Sequence, residues 1–240
     1  PFELVELGSP VIGTIEHLHA ERGDSVLAGQ VVVELESDVE RAARNLSKAR
    51  ARMNSAVQAG TASLDLGRRK KKRAEELFRR EALSLDQRDE IQTETELARL
   101  QLQEARETRE LAQLELSHAE ALLARRQIRA PVSGLVVERL MSRGEVVDED
   151  TILRIAQIDP LRVEVILPAA VYGSIRPGMR AAVVPELPDS NVHVAAVTIV
   201  DRVIDAASGT FGVRLELPNP DHALPSGLHC QVRFLEQEQE

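Results

Sequence analysis

The rhythm of hydrophobic and polar positions changes twice along the 240 residues. In residues 1–37 the apolar positions come in short clusters, Val11, Ile12 and Ile15, then Val31-Val32-Val33. Turn signals at Gly23-Asp24 and Ala28-Gly29 separate them, which predicts short strands. Residues 38–127 contain no Pro and only Gly60 and Gly67, and they are rich in Ala, Leu, Glu, Arg and Gln, the strong helix formers. From Pro131 onward Pro and Gly return among short Val and Ile runs, so strands are predicted again.

The helical segment has a countable period. Val39, Ala42, Leu46, Ala49, Met53, Ala56, Gly60, Ser63, Gly67, Lys70, Ala74 and Leu77 step by three and four, as the apolar seam of a coiled coil does. The middle of this seam is weak, since Gly60, Ser63, Gly67 and Lys70 make poor knobs. A second seam runs through Ala98, Leu102, Ala105, Arg109, Ala112, Leu116, Ala119 and Leu123. Between them, Ser84 suits a helix N-cap and Asp86 puts a carboxylate in the new first turn. The expectation is two antiparallel helices of about 40 residues, each roughly 60 Å long.

A repeat flanks this hairpin. Pro10-Val11-Ile12-Gly13-Thr14-Ile15 and Arg22-Gly23-Asp24-Ser25-Val26 return as Pro131-Val132-Ser133-Gly134-Leu135-Val136 and Arg143-Gly144-Glu145-Val146-Val147, at an offset of 121. The offset becomes 120 where Val33-Glu34-Leu35 matches Leu153-Arg154-Ile155. A repeat split by an insertion implies two half-units that must pack on each other to bury one face.

Composition and charge narrow the function. Aromatics are 2% of the chain, Phe2, Phe78, Tyr172, Phe211 and Phe234, which disfavours an aromatic-lined pocket or a base-stacking surface. A net charge of −9 disfavours a general polyanion binder, and no nucleic-acid partner is expected. The lone Cys230 excludes an intrachain disulfide framework. No stretch approaches the roughly 18 apolar residues of a membrane span, and because the chain begins at Pro1 the lack of a visible signal or anchoring segment decides nothing. Within the hairpin, residues 38–83 carry 13 basic and 6 acidic residues, and residues 85–127 carry 6 basic and 10 acidic. The two arms, or the arms of neighbouring copies, therefore attract each other, although for any single pair a solvated face is the better reading.

The half-motifs resemble those of a lipoyl (biotinyl-like) domain. Their arrangement around a helical hairpin resembles the periplasmic adaptor, or membrane fusion protein, family of tripartite efflux pumps, with the resistance-nodulation-division type most similar. Downstream, Ile175-Arg176-Pro177-Gly178 looks like the turn opening the second strand of that family's β-barrel domain. Asp205, Ser208, Thr210, Val213-Arg214, Asn219-Pro220 and Leu224-Pro225-Ser226-Gly227 follow its pattern. The resemblance implies a mixed α and β, elongated, multidomain chain. A coiled-coil hairpin (38–127) would be inserted between lipoyl-like halves (1–37 plus 128–159), with a small β-barrel (160–236) and a polar tail (237–240) following. The family's membrane-proximal domain is expected to be absent or truncated. No catalysis and no cofactor are implied. The implied partners are an outer-membrane channel protein, an inner-membrane transporter and further copies in a ring, six in the family's usual assembly. The implied location is the periplasm, at the inner membrane.

The hairpin tip carries the sharpest implied site. Arg73, Leu77 and Ser84 fit the spacing R-x3-L-x6-S, which in this family docks the outer-membrane exit duct. Arg73 and Leu77 are four apart and share a helix face. The competing reading makes Leu77 a seam knob and Ser84 only a cap. The basic run Arg68-Arg69-Lys70-Lys71-Lys72-Arg73 just before the tip is read first as a solvated face and second as a contact with an acidic rim or neighbouring helix.

Three other chemistries compete with this reading. A lipoyl or biotinyl carrier needs a lysine at the turn between half-motifs, but the only lysines are Lys48, Lys70, Lys71 and Lys72, all in the helical segment. A metal site, as in a metal-efflux adaptor, has as candidates His17 with His19 and His229 with Cys230, each pair lacking further ligands, while His118 and His193 stand alone. No metal site is expected. Enzyme motifs such as G-x-S-x-G and H-E-x-x-H are missing, and Asp148 and Asp150 sit in a turn where solvated carboxylates are the default. An adaptor of an ATP-driven exporter is the alternative to a proton-driven one.

Overall fold

The computed structural model describes residues 1–188 and 191–235, so the polar tail expected at 237–240 lies outside the described residues. One compact unit is built from Pro1–Leu35 and the chain from Gln127 onward; the other is Glu36–Arg126.

The first unit opens with two four-stranded antiparallel sheets. In one, β1 (Glu3–Gly8), β8 (Thr151–Gln157), β6 (Gly134–Arg139) and β3 (Ser25–Val26) lie in that order. In the other the order is β5 (Gln127–Arg129), β4 (Val31–Leu35), β2 (Gly13–Leu18) and β7 (Val146–Val147). Ile15, Val33, Leu35, Val136, Ile152 and Ile155 fill the space between them, each 1% exposed or less. Burying such side chains stabilises the fold by about 1.5–3 kcal/mol apiece.

The repeat is realised as an exchange. Gly13 pairs with Val147 and Thr14 with Val146. At the positions 121 further on or back, Gly134 pairs with Val26 and Leu135 with Ser25. Each half thus lends its short strand to the other half's first strand. The backbone bonds match too: Gly23 N–H donates to Val136 O (2.8 Å) and Gly144 N–H to Ile15 O (2.9 Å). Gly23 and Gly144 have φ of 96° and 88°, which only glycine adopts freely, so the two turns are fixed by the same residue type. A Cβ on Gly134 would overlap the Ala156 carbonyl oxygen of β8, which accounts for glycine there.

The same unit continues into a five-stranded antiparallel sheet. Its strands are β9 (Leu161–Pro168), β10 (Arg180–Pro185), β11 (His193–Val200), β12 (Thr210–Leu217) and β13 (Cys230–Phe234), in the order β13-β10-β11-β12-β9. Inward residues alternate with exposed ones, and Ala181, Val183, Ala195, Val197, Phe211 and Leu215 form the core. Leu135, Val137, Ala156 and Ile158, from the outer side of the first sheet and its exit, join this second core. Asn219 is 4% exposed and ties the end of β12 down: its Nδ2 donates to Ile158 O and Leu224 O (both 3.0 Å), and its Oδ1 accepts from Leu224 N (3.0 Å). Asp205 shapes the β11–β12 connection by accepting from Ala207 N (2.8 Å) and Ser208 N (2.9 Å).

The second unit is a hairpin of α1 (Asp38–Arg52), α2 (Ser55–Arg79) and α3 (Leu85–Ala124). The expected single first helix is therefore corrected: it breaks at Met53, whose ψ of 122° is extended. Asn54-Ser55 supplies the reason, because both residues favour caps over helix interiors, and Gln58 N–H donates to Asn54 O (3.0 Å) to start α2.

The first-arm seam is corrected as well. The inward positions of α2 are Val57, Gly60, Leu64, Gly67, Lys71, Ala74 and Phe78; those of α1 are Glu40, Arg44, Ser47 and Ala51. Of the expected knobs only Gly60, Gly67 and Ala74 face inward, whereas Val39, Leu46, Met53, Ala56, Ser63 and Leu77 lie on an exposed flank. Close approach decides this. A Cβ on Gly60 would stand 3.1 Å from Leu102 Cα, and one on Gly67 would stand 3.1 Å from Thr95 Oγ1, so at both glycines the two arms approach closely. At the base, Arg126 Nε donates to Glu40 Oε1 (2.9 Å), which draws polar residues of α1 inward. Burial alone would raise the Glu40 pKa, but the Arg126 bond and charge bring it below its ordinary value. On α3, Ala98, Leu102, Ala105, Ala112, Leu116, Ala119 and Leu123 face inward as expected, joined by Ile91 and Thr95, while Arg109 is exposed. Among the described residues no helix is long and apolar enough to cross a membrane.

Candidate functional site

The end of the hairpin between α2 and α3 is built by two complementary caps. Helix α2 closes with Glu81 N–H donating to Phe78 O (3.0 Å) and Ala82 N–H to Leu77 O (2.9 Å), with Glu81 at φ 57°. This is the Schellman arrangement, in which glycine usually takes the left-handed position. Helix α3 opens with a reciprocal capping box: Gln87 N–H donates to Ser84 Oγ (3.3 Å) and Ser84 N–H donates to Gln87 Oε1 (3.3 Å). The tip is braced by the Arg88 guanidinium, which lies 4.5 Å from the centre of the Phe78 ring and bonds Asp89 at 2.8 Å.

Arg73 and Leu77 stand one turn apart near the end of α2, and both are exposed. Ser84 is exposed at the start of α3, at the same end of the hairpin. Its Oγ serves as the acceptor of the cap, so the O–H hydrogen remains available to a partner's carbonyl. Leu85 is exposed beside it, an apolar tip residue that the spacing R-x3-L-x6-S does not include. Neither Leu85 nor the left-handed Glu81 carried a sequence signal, since one falls outside the triplet and the other is not glycine.

The other candidates are placed as follows. Of the basic run, Arg68 pairs with Asp65 on its own helix (3.8 Å) and Lys70 with Glu94 across the hairpin (3.4 Å). His17 on β2 and His19 just past its end have rings stacked 6.1 Å apart, and Glu16 (4.0 Å) and Glu34 (3.7 Å) stand beside them. Among the described residues no group of three or more His, Cys, Asp or Glu is arranged to hold a metal ion. Cys230 is half-buried, and burial, with Glu186 nearby, raises its thiol pKa.

Known proteins match this architecture. Residues 3–157 match the family described as "CzcB-like, barrel-sandwich hybrid domain", and residues 161–238 match "CusB-like, beta-barrel domain". The cation efflux system protein CzcB of Alcaligenes sp. (strain CT14) is 25% identical over 92% of the chain. The pyoverdine export membrane fusion protein PvdR of Pseudomonas aeruginosa is 30% identical over 75% of it. The chain spans 40% and 48% of the length of those two relatives. The crystal structure of MacA from Actinobacillus actinomycetemcomitans superposes with a TM-score of 0.74 at 22% identity, covering 95% of this chain and 73% of that one. With 155 of the 240 residues inside the first match, the chain belongs to the membrane fusion protein family.

Proposed function

We propose that the chain is the adaptor of an efflux pump, linking an inner-membrane transporter to an outer-membrane channel in the periplasm, with no chemistry of its own. Arg73, Leu77 and Ser84 at the hairpin tip dock the channel. The observation that supports this most is the tip itself: a cation, an apolar knob and a hydroxyl are all exposed where the two caps hold them. Arg73 can donate to carbonyl or carboxylate oxygens, Leu77 can fill a groove, and the Ser84 O–H can donate to a backbone carbonyl. Copies of the chain assemble side by side into a ring, six in number as the family resemblance implies. The names of relatives mention cation efflux and pyoverdine export, so the cargo of this chain is a small exported solute of a class those names bracket.

The test is retention of the outer-membrane channel on the immobilised protein. Arg73→Glu and Leu77→Asp should each abolish retention while leaving the far-ultraviolet helical signal unchanged. Retention that survives both substitutions would remove the docking assignment.

A further inference from the structure

Helix α1 turns its polar face inward. Glu40, Arg44, Ser47 and Ala51 lie toward the α3 seam of Ala112, Leu116, Ala119 and Leu123. Val39, Leu46 and Met53 are 78%, 55% and 66% exposed on the other side. A polar stripe therefore lies on an apolar seam while the apolar stripe meets water, the reverse of what burial favours. Two ion pairs hold this arrangement, Arg126 Nε–Glu40 Oε1 (2.9 Å) at the base and Arg50–Glu115 (3.9 Å) further along.

The break that turns α1 is weakly built. No Pro or Gly lies between Asp38 and Ala59 to force it. At the start of α2, Asn54 makes no side-chain cap bond, and the first turn has no acidic residue. The Asn54 Oδ1 atom is buried without a hydrogen-bond partner among the described residues. The start of α3, by contrast, has both a capping box and the Asp86 carboxylate. A cleft of about 640 Å³ opens at the break, lined in part by Met53, Ala56 and Ala112. The sequence meanwhile carries a register that runs through the break. Val39, Leu46, Met53, Gly60, Gly67 and Ala74 follow at intervals of seven, and the last three already face α3. Gly67 lies against Thr95 and Gly60 against Leu102, so each step of seven back along α2 meets a step of seven forward along α3. Continued through the break, that register sets Leu46 opposite Leu116 and Val39 opposite Leu123.

We propose that the first arm of the hairpin has a second state, a continuous helix from Asp38 to Arg79, in which Val39 and Leu46 pack on Leu123 and Leu116 of α3. Passing to it turns α1 by about 130° around its own axis, the angle between its two stripes at about 3.6 residues per turn. The Glu40–Arg126 pair opens, the apolar stripe is covered, and the cleft at the break closes. The broken arm is held by ion pairs and the continuous arm by apolar contact. The change also straightens the arm, so the base of the hairpin sets the direction in which Arg73, Leu77 and Ser84 are presented.

The experiment uses the full chain with Cys230→Ser as background, equilibrated in a glutathione redox buffer. Leu46→Cys with Leu116→Cys reports the continuous state through an intrachain disulfide. Ser47→Cys with Ala119→Cys, both turned inward in the structure, reports the broken one. Each pair should form its disulfide in the otherwise unchanged arm. Adding Asn54→Ala with Ser55→Ala should raise the 46–116 disulfide relative to the 47–119 disulfide about fivefold, as the helix propensity of alanine over asparagine and serine implies. Adding Asn54→Pro, which a helix interior does not accommodate, should suppress the 46–116 disulfide while the 47–119 disulfide still forms. An arm that couples only through positions 47 and 119, with and without the alanine substitutions, has a single state and overturns the proposal. A 46–116 disulfide that persists undiminished with Asn54→Pro, or that forms only between chains, overturns it equally.

Discussion

Ser84 is asked to do two things, and substitution can separate them. Its Oγ accepts the Gln87 N–H at 3.3 Å while Gln87 returns the bond at 3.3 Å. Both are longer than the ~2.9–3.0 Å optimum, which puts Ser84→Ala in the lower half of the about 0.5–2 kcal/mol lost with an N-cap. Ser84→Gly should cost only a few tenths of a kcal/mol, because glycine is tolerated at that position. Both substitutions remove the hydroxyl. If the O–H donates one neutral hydrogen bond to the channel, worth about 0.5–1.5 kcal/mol, each should weaken docking by about 2- to 13-fold. Ser84→Thr keeps both functions and should change neither. Urea unfolding followed by circular dichroism reads the cap, and surface plasmon resonance with the channel reads docking. The reasoning fails if Ser84→Gly docks as tightly as the parent while Ser84→Ala does not, since docking would then follow helix stability alone.

Three further outcomes test the scaffold. Asn219→Ala leaves the Leu224 N–H and the Ile158 and Leu224 carbonyls without their buried partner, so urea denaturation should show a loss of about 3 kcal/mol; a loss below about 1 kcal/mol would contradict the bonding described. Gly134→Ala drives a methyl into the Ala156 carbonyl of a central strand and should cost about 1–3 kcal/mol in the same assay, whereas an unchanged midpoint would show that β8 yields freely. The Asp205 carboxyl is held below its ordinary pKa by the Ser208 and Ala207 N–H groups. Its contribution is therefore present above the unfolded carboxylate range and lost as pH falls through the folded value. Hydrogen exchange at Ala207 and Ser208 should quicken under acid relative to neighbouring amides, and Asp205→Asn should flatten that dependence.

The repeat was legible because its turns and its pairings use the same residues twice. Gly23 and Gly144 both need a left-handed turn, and the offset of 121 carries each strand pair onto its counterpart. The α3 seam was legible because Ala98, Leu102, Leu116 and Ala119 are apolar at a strict spacing. The first arm was not, for a physical reason. Its regularly spaced apolar stripe is the one left outside, whereas the inward stripe of α1 is Glu40, Arg44, Ser47 and Ala51, so hydrophobic spacing alone picked the wrong face. The glycines at 60 and 67 select the stripe by close approach, and the longer residues Leu46, Met53 and Leu66 are left on the flank. The helix break falls at Asn54-Ser55, a pair that favours caps, yet the three-four spacing of the seam runs through it unbroken. At the tip, the triplet was visible as spacing, whereas the left-handed Glu81 and the exposed Leu85 became visible only with the backbone in hand.

The most direct measurement places a photo-reactive residue at position 77 of the full-length protein in cells that hold the outer-membrane channel. Irradiation should yield an adduct between the chain and the channel, and the same residue at Leu140, exposed on the β-sandwich, should yield none. An adduct to the channel from position 140 but not from position 77 would contradict docking through the hairpin tip.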